Sequence, residues 1–220
     1  MPRHARTVVA CLPHHVTQRG NRREQVFFSD DDRRAYLAWL GKYAEKHDVE
    51  VLAYCLMNNH VHLVAVPSTG DGLQRALKPL HMRYAQRINR AKGWNGHLWQ
   101  GRFFSSPLDG DYFWAAIRYV ERNPVRARMV ERAEAYPWSS AAAHCGLGMD
   151  PVLASESRWA VTLREIGDWS AWLADGDDQS RIDVLRRNAD KGLPCGSDRF
   201  IVELEAVVGR NLHYRPQGAQ

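Results

Sequence analysis

The stretch VEVLAYCLMNNHVHLVAV, residues 49–66, holds two apolar runs on either side of Asn58-Asn59. Residues 49–56 read as one strand and 60–66 as the next. Both are rich in β-formers, and an Asn-Asn pair tolerates the backbone of a tight hairpin turn. Within the second arm, strand alternation puts His60 and His62 on one face and Val61 on the other. Their Cα atoms are then about 7 Å apart, close enough for two imidazoles to converge on one divalent cation. Read from the strand alone, the pair fits a cation site and a pair of half-exposed hairpin histidines equally well.

Upstream of the hairpin, residues 11–19 (CLPHHVTQR) read as a first strand, and Gly20-Asn21-Arg22-Arg23 as a turn. Ser29 before Asp30, Asp31 and Asp32 marks a helix N-terminus, with acids where the helix dipole favours them. Tyr36, Leu37, Leu40, Tyr43 and Ala44 continue it at helical spacing. Downstream, residues 72–91 form a second helix with Leu73, Leu77, Leu80, Tyr84 and Ile88 on one stripe. Pro79 lies inside it, where proline is expected to kink or split a helix. Residues 93–101 are a loop, 102–108 a fourth strand, and 109–123 a third helix stopped by Pro124. The order β-α-β-β-α-β-α predicts an α+β fold: a ferredoxin-like split βαβ sandwich on an antiparallel sheet, with one further helix. After residues 136–140 the composition changes. Residues 1–144 are expected to form the main domain and 145–220 a helical C-terminal appendage, with short helices near 182–187 and 199–208.

With 45% hydrophobic and 25% charged residues, the 220-residue chain can bury a core and is not a disordered protein. Its apolar runs are too short to span a bilayer, and no apolar signal segment follows the basic start, so a cytoplasmic protein is expected. The four cysteines, Cys11, Cys55, Cys145 and Cys195, make no C-x-x-C pair; reduced and mostly buried thiols are expected. Charge is uneven. Residues 1–130 carry 20 Lys and Arg against 11 Asp and Glu, whereas residues 131–220 carry 10 against 14. The basic part holds the histidine pair, which suits a polyanionic partner; solvated arginine-rich helices would give the same count.

The third helix reads YFWAAIRYVERNPVRA, residues 112–127. Tyr119 and Asn123 are four apart and share a helix face. Asn123 can offer an amide oxygen to a cation and Tyr119 a phenol to a phosphate. On spacing alone, however, a tyrosine between Ile117 and Val120 is better read as a core aromatic.

Taken together, LMNNHVHLV and, some sixty residues on, RYVERNPVRA resemble the single-tyrosine HUH transposases, and more narrowly the REP-associated tyrosine transposases. HHVTQRGNRREQVFF, GHLWQGRFFSSPLD and AYPWSSAAAH extend the likeness over residues 11 to about 144, and GLPCGSDRFIVELEAVVGR resembles the C-terminal part of many members. Many relatives carry proline where this chain has Asn58. The resemblance implies an HUH endonuclease-type fold in which His60 and His62 hold Mg²⁺ or Mn²⁺, Asn123 completes the site, and Tyr119 is the nucleophile. In several insertion-sequence relatives a glutamine takes the place of Asn123.

The implied reaction is attack of Tyr119 on a single-stranded DNA phosphodiester, leaving a 5′-phosphotyrosine and a free 3′-OH. The covalent link conserves the bond energy for rejoining. The implied partner is a REP-type DNA hairpin. Arg19, Asn21, Arg22 and Arg23 would read a short guide sequence, Arg83, Arg87 and Arg90 would track the hairpin backbone, and His97, Gln100 and Arg102 would contact the strand near the site. For Trp99 core packing is the better reading. A monomer is favoured over a homodimer, and no membrane partner is expected. The alternatives are a catalytically silent DNA-binding protein of the same fold, or a metal-dependent phosphodiesterase using water.

Overall fold

Period-two alternation breaks once in the hairpin, and that break lets one sheet serve two cores. In the computed structural model, which describes residues 6–214, strand β2 (Val49–Met57) pairs antiparallel with β3 (His60–Pro67), with a register shift between Val51 and Ala53. Before the shift Val49 and Val51, and after it Tyr54 and Leu56, enter one core; Leu52, Ala53, Cys55 and Met57 enter the other. The extra residue of a bulge gives two consecutive side chains one face and then restores alternation. Strand β1 (His14–Arg19) lies on the other side of β3, and β4 (Phe104–Pro107) on the far side of β1. The order is β2-β3-β1-β4, all antiparallel. This is the expected split βαβ arrangement. β1 and β4 are shorter than expected, because Pro13 and the loop before Phe104 stay outside the ladder.

Helices α1 (Asp30–Lys46) and α2 (Gly72–Lys92) cover one face. The Ser29 hydroxyl accepts from the Asp32 N–H at 3.2 Å, and the Asp32 carboxylate accepts from the Ser29 N–H at 3.1 Å, so α1 opens on a capping box. Tyr36 and Leu40 of α1 and Leu73, Leu77, Leu80 and Tyr84 of α2 pack on Val16, Leu56, Val61 and Leu63 of the sheet. α2 runs through Pro79 without splitting. Pro79 sits on its half-exposed side, and the carbonyl it leaves unpaired belongs to exposed Arg75, where water can satisfy it.

Helix α3 (Gly110–Glu121) covers the opposite face and ends two residues earlier than expected. Pro124 does not follow the helix but starts a separate turn, α4 (Asn123–Arg126), at whose N-terminus its missing N–H costs nothing. The rest of the chain contributes α5 (Ala141–His144), α6 (Arg158–Leu163), α7 (Trp169–Ala174), α8 (Gln179–Ala189) and α9 (Asp198–Val208); the last two match the expected helices near 182–187 and 199–208. This tail shares the α3-side core. Leu163, Trp169, Leu173, Ile182, Leu185 and Cys195 cluster with Phe113, Ile117 and Val120 of α3 and Val64 and Val66 of β3. Cys195 also extends the sheet edge, its N–H donating to the Pro107 carbonyl at 2.8 Å. All four cysteines are free; Cys55 and Cys195 are buried and Cys11 is exposed. Among the described residues no helix is long and apolar enough to cross a membrane.

Candidate active site

The register sets which polar side chains share the α3 face. Thr17 pairs with His62 and Arg19 with His60 across β1 and β3, and Cys55 and Met57 of β2 flank the same two histidines. The two imidazoles meet edge to face with ring centroids 4.8 Å apart. His62 is buried and His60 half-buried. The sheet adds a third ring absent from the sequence reading. His15, two residues along β1 from Thr17, lies nearly coplanar with His62, edge to edge, with centroids 5.1 Å apart and planes 11° apart. Its Nε2 lies 2.9 Å from His62 Nδ1.

Burial and neighbouring positive charge keep these rings neutral. Burial first, then Arg19, pushes His60 down to about 4. Burial, then His60, His15 and Arg126, holds His62 well below the ordinary histidine value of 6.5. Burial, then Arg126, pushes His15 down to about 3. Neutral imidazoles near pH 7 have lone pairs for a cation. His60 Nδ1 donates to Asn59 Oδ1 at 2.6 Å, which leaves its Nε2 free. Among the described residues no group of three or more His, Cys, Asp and Glu is arranged around one point. The donor set therefore fits a cation held by two imidazoles, with its other positions open to amide, water or phosphate oxygens.

α3 lays Tyr119 on this pair. Its ring meets His62 at 5.5 Å and His15 at 5.7 Å, both edge to face. The residue is buried, yet its hydroxyl makes no hydrogen bond among the described residues. The Arg126 guanidinium sits 4.2 Å over the phenol ring and also donates to the Tyr119 carbonyl. Asp177, before α8, pairs with Arg126 at 3.4 Å and with Arg122 at 3.3 Å, so the tail braces the tyrosine helix. Asn123 is buried one turn beyond Tyr119, across the break between α3 and α4. Its amide nitrogen donates to the Tyr119 carbonyl at 3.2 Å. Behind the site, buried Glu121 accepts from the Trp169 indole at 2.8 Å and pairs with His144 at 2.6 Å, joining α3 to α5 and α7.

The basic turn after β1 is built under constraint. A Cβ on Gly20 would come within 2.3 Å of the Glu24 carbonyl, so only glycine fits. Arg22 and Arg23 hold φ of 53° and 63°, in the left-handed region. Asn59 donates to the Arg23 carbonyl at 2.8 Å, so one amide touches both this turn and His60. Asn21 and Arg19 are sewn by their backbones to Leu98 and Gln100. Arg19, Arg23, Gln100 and Arg102 line one cleft of about 940 Å³, joined there by Lys191 and Arg210 of the tail. Arg22 is exposed beside it. His97 lines a neighbouring cavity that shares Gln100 and Arg102. Arg83, Arg87 and Arg90 lie apart, in a cavity with Trp39 and Tyr43 of α1, where Arg83 stacks on Trp39 at 4.8 Å and Arg87 pairs with Asp32 at 3.4 Å. Trp99 is core, its indole donating to the His81 carbonyl at 3.0 Å.

Sequence reasoning missed His15, Arg126, Asp177 and Glu121. The alternation of β1 carried a signal for His15, since His15, Thr17 and Arg19 share a face. Which face that is depends on strand pairing. Nothing local in the sequence joins Asp177 to Arg126.

The family model described as transposase IS200-like matches residues 7–123, more than half of the chain. The chain belongs to the IS200-like transposase family. A solved REP-associated tyrosine transposase bound to a REP hairpin is 19% identical, with a TM-score of 0.56, and the match covers 71% of this chain and 93% of that one. That likeness supports the fold. A candidate transposase from Deinococcus radiodurans R1 is 20% identical with a TM-score of 0.38, covering 58% of this chain and 92% of that one. No curated protein matches. As an IS200-like transposase, the chain is a DNA-processing protein, and its histidine pair and Tyr119 lie within or at the edges of the core that the family model spans.

Proposed function

We propose that this transposase is a metal-dependent single-stranded DNA endonuclease and strand-transferase that cleaves and rejoins DNA at REP-type hairpins through a 5′-phosphotyrosine. The observation that carries the reading is Tyr119, a buried phenol with an uncommitted hydroxyl, packed on the rings of His62 and His15 beside His60. His60 and His62 would hold Mg²⁺ or Mn²⁺, with the free amide oxygen of Asn123 as a third donor. When bound, the cation supplies charge stabilisation at the scissile phosphate. Tyr119 attacks phosphorus, the 3′-oxygen leaves, and the bond to Tyr119 preserves the linkage for a later 3′-OH. Arg126, over the phenol ring, fixes the ring and adds positive charge beside it.

The DNA-reading surface we propose centres on the cleft of Arg19, Arg23, Gln100 and Arg102, with Asn21, Arg22 and His97 at its margin. Arg83, Arg87 and Arg90 would contact a backbone segment at a separate place. We take residues 1–144 as the catalytic unit and 145–220 as the appendage that braces it. A monomer is favoured because α3 is tied to its own chain, through Asp177 and through Arg118 stacked at 4.3 Å on Trp172.

The test is a covalent adduct. The protein is incubated with a labelled single-stranded REP hairpin and Mn²⁺ and run on a denaturing gel. A shifted band that Tyr119→Phe abolishes is expected. No band with wild type, or an unchanged band with the variant, overturns the reading. Cleavage without adduct assigns the protein to the hydrolases, and binding without cleavage to the silent DNA-binding proteins.

A further inference from the structure

His15 is the buried group that the proposed reaction leaves unused. It is essentially inaccessible, it lies nearly coplanar with His62, its Nε2 contacts His62 Nδ1, and it meets Tyr119 edge to face. Its other ring nitrogen, Nδ1, is buried with no hydrogen-bond partner. An orphaned buried nitrogen carries a desolvation cost that a leucine or phenylalanine at this place would avoid. The neighbouring histidine, His14, has no such orphan: its Nδ1 is 2.8 Å from the Leu12 carbonyl and its Nε2 accepts from the Val9 N–H.

The contact between His15 and His62 has two forms. If His15 Nε2–H donates, His62 carries its proton on Nε2, and that nitrogen is closed to a cation. If His62 Nδ1–H donates, His62 Nε2 keeps its lone pair. His60 already has the second form, because its Nδ1 faces the acceptor Oδ1 of Asn59. A ring that binds a cation through one nitrogen needs an acceptor at the other.

We infer that His15 is a positioning residue for the proposed cation site: its Nε2 accepts the Nδ1 proton of His62 and so keeps the His62 Nε2 lone pair free. His15 is to His62 what Asn59 is to His60: one ligand is set by the facing strand β1 and the other by the hairpin turn. The inference rests on the metal-site reading above. It explains why a costly buried histidine pair is kept beneath α3.

The experiment is Mn²⁺ binding by calorimetry on the metal-free full chain, without DNA. Three variants are compared with wild type: His15→Phe, which keeps a ring but has no acceptor; His15→Gln, which restores an acceptor oxygen; and His60→Ala. Loss of an outer partner of a metal ligand costs roughly 10- to 100-fold in affinity, so that loss is expected for His15→Phe, with His15→Gln within about threefold of wild type. Nitrogen-15 chemical shifts of the His62 ring in the metal-free protein are expected to place the proton on Nδ1. Wild-type affinity in His15→Phe, loss in His15→Gln equal to that in His15→Phe, or an Nε2 proton on wild-type His62 overturns the inference while leaving the metal site standing. Absence of Mn²⁺ binding in wild type, or binding that His60→Ala does not change, overturns both. If His15→Phe does not fold, as urea unfolding would reveal, His15→Gln and the nitrogen shifts still decide.

Discussion

The sheet carries a tyrosine–histidine pair on each face, and only one of them belongs to the candidate site. Under α2, Tyr36 and His81 pack with Tyr84, Trp99 and Phe103; the Tyr36 hydroxyl and His81 Nε2 are 3.0 Å apart. Under α3, Tyr119 packs on His62 and His15. Burial lowers the histidines in both places, His81 to about 3 and His62 well below 6.5, so a displaced histidine does not by itself mark a site. The difference lies in what is already spent. The Tyr36 phenol is committed to His81, and burial raises it far above the usual tyrosine value. The Tyr119 hydroxyl is uncommitted, a guanidinium lies over its ring, and half-buried His60 opens the pair toward solvent.

The largest expected effect breaks that comparison outright. Tyr119→Phe should abolish the covalent adduct, a loss of at least about 10³-fold in the denaturing-gel assay, with little change in the urea midpoint. Tyr36→Phe should do the reverse. It leaves His81 buried without its partner at a cost of about 1–3 kcal/mol in urea unfolding, while the adduct forms at near wild-type yield. Chelation by EDTA should remove the adduct from wild type while the unfolding curve of the metal-free chain stays cooperative. A band that persists in EDTA sinks the role given to His60 and His62.

Acid should act on the structural face in a predictable direction. His81, lowered to about 3, and His14, lowered to about 4, are held neutral by the fold and bind protons on unfolding. Their contribution is whole above pH 6.5 and declines as pH falls from there toward 4. Each contributes a slope of up to about 1.4 kcal/mol per pH unit, and His81→Phe should remove one such slope from urea titrations between pH 6.5 and 4. The smallest effect belongs to the remote arginines. Arg83→Ala should lower the slope of log affinity against log salt for a REP hairpin by about 1 if it meets a phosphate, and not at all if its stacking on Trp39 is its whole role.

Much of the fold was legible because hairpin alternation, the Ser29 cap and helical stripes are local signals, and the order of elements admits few topologies. The site was legible in halves: the strand period gave His60 and His62, and the helix spacing gave Tyr119 and Asn123. What sequence could not give was long-range pairing. His15 joins His62 through the β1–β3 register, and Asp177 reaches Arg126 across fifty residues. The boundary at Arg122 was misjudged because proline served as a helix start rather than a stop. Arg83, Arg87 and Arg90 looked continuous with the other basic residues, but strand pairing sews the Arg19 turn to the Gln100 loop and leaves those three beside α1.

The amide of Asn59 grips the Arg23 carbonyl with one end and the His60 ring with the other. A strand that seats badly on the turn would pull that carbonyl, and the pull would reach the imidazole through a single rigid plane. With DNA read at this turn as proposed, a mismatched strand is expected to show slower chemistry at saturating DNA as well as weaker binding, and Asn59→Ala should uncouple the two.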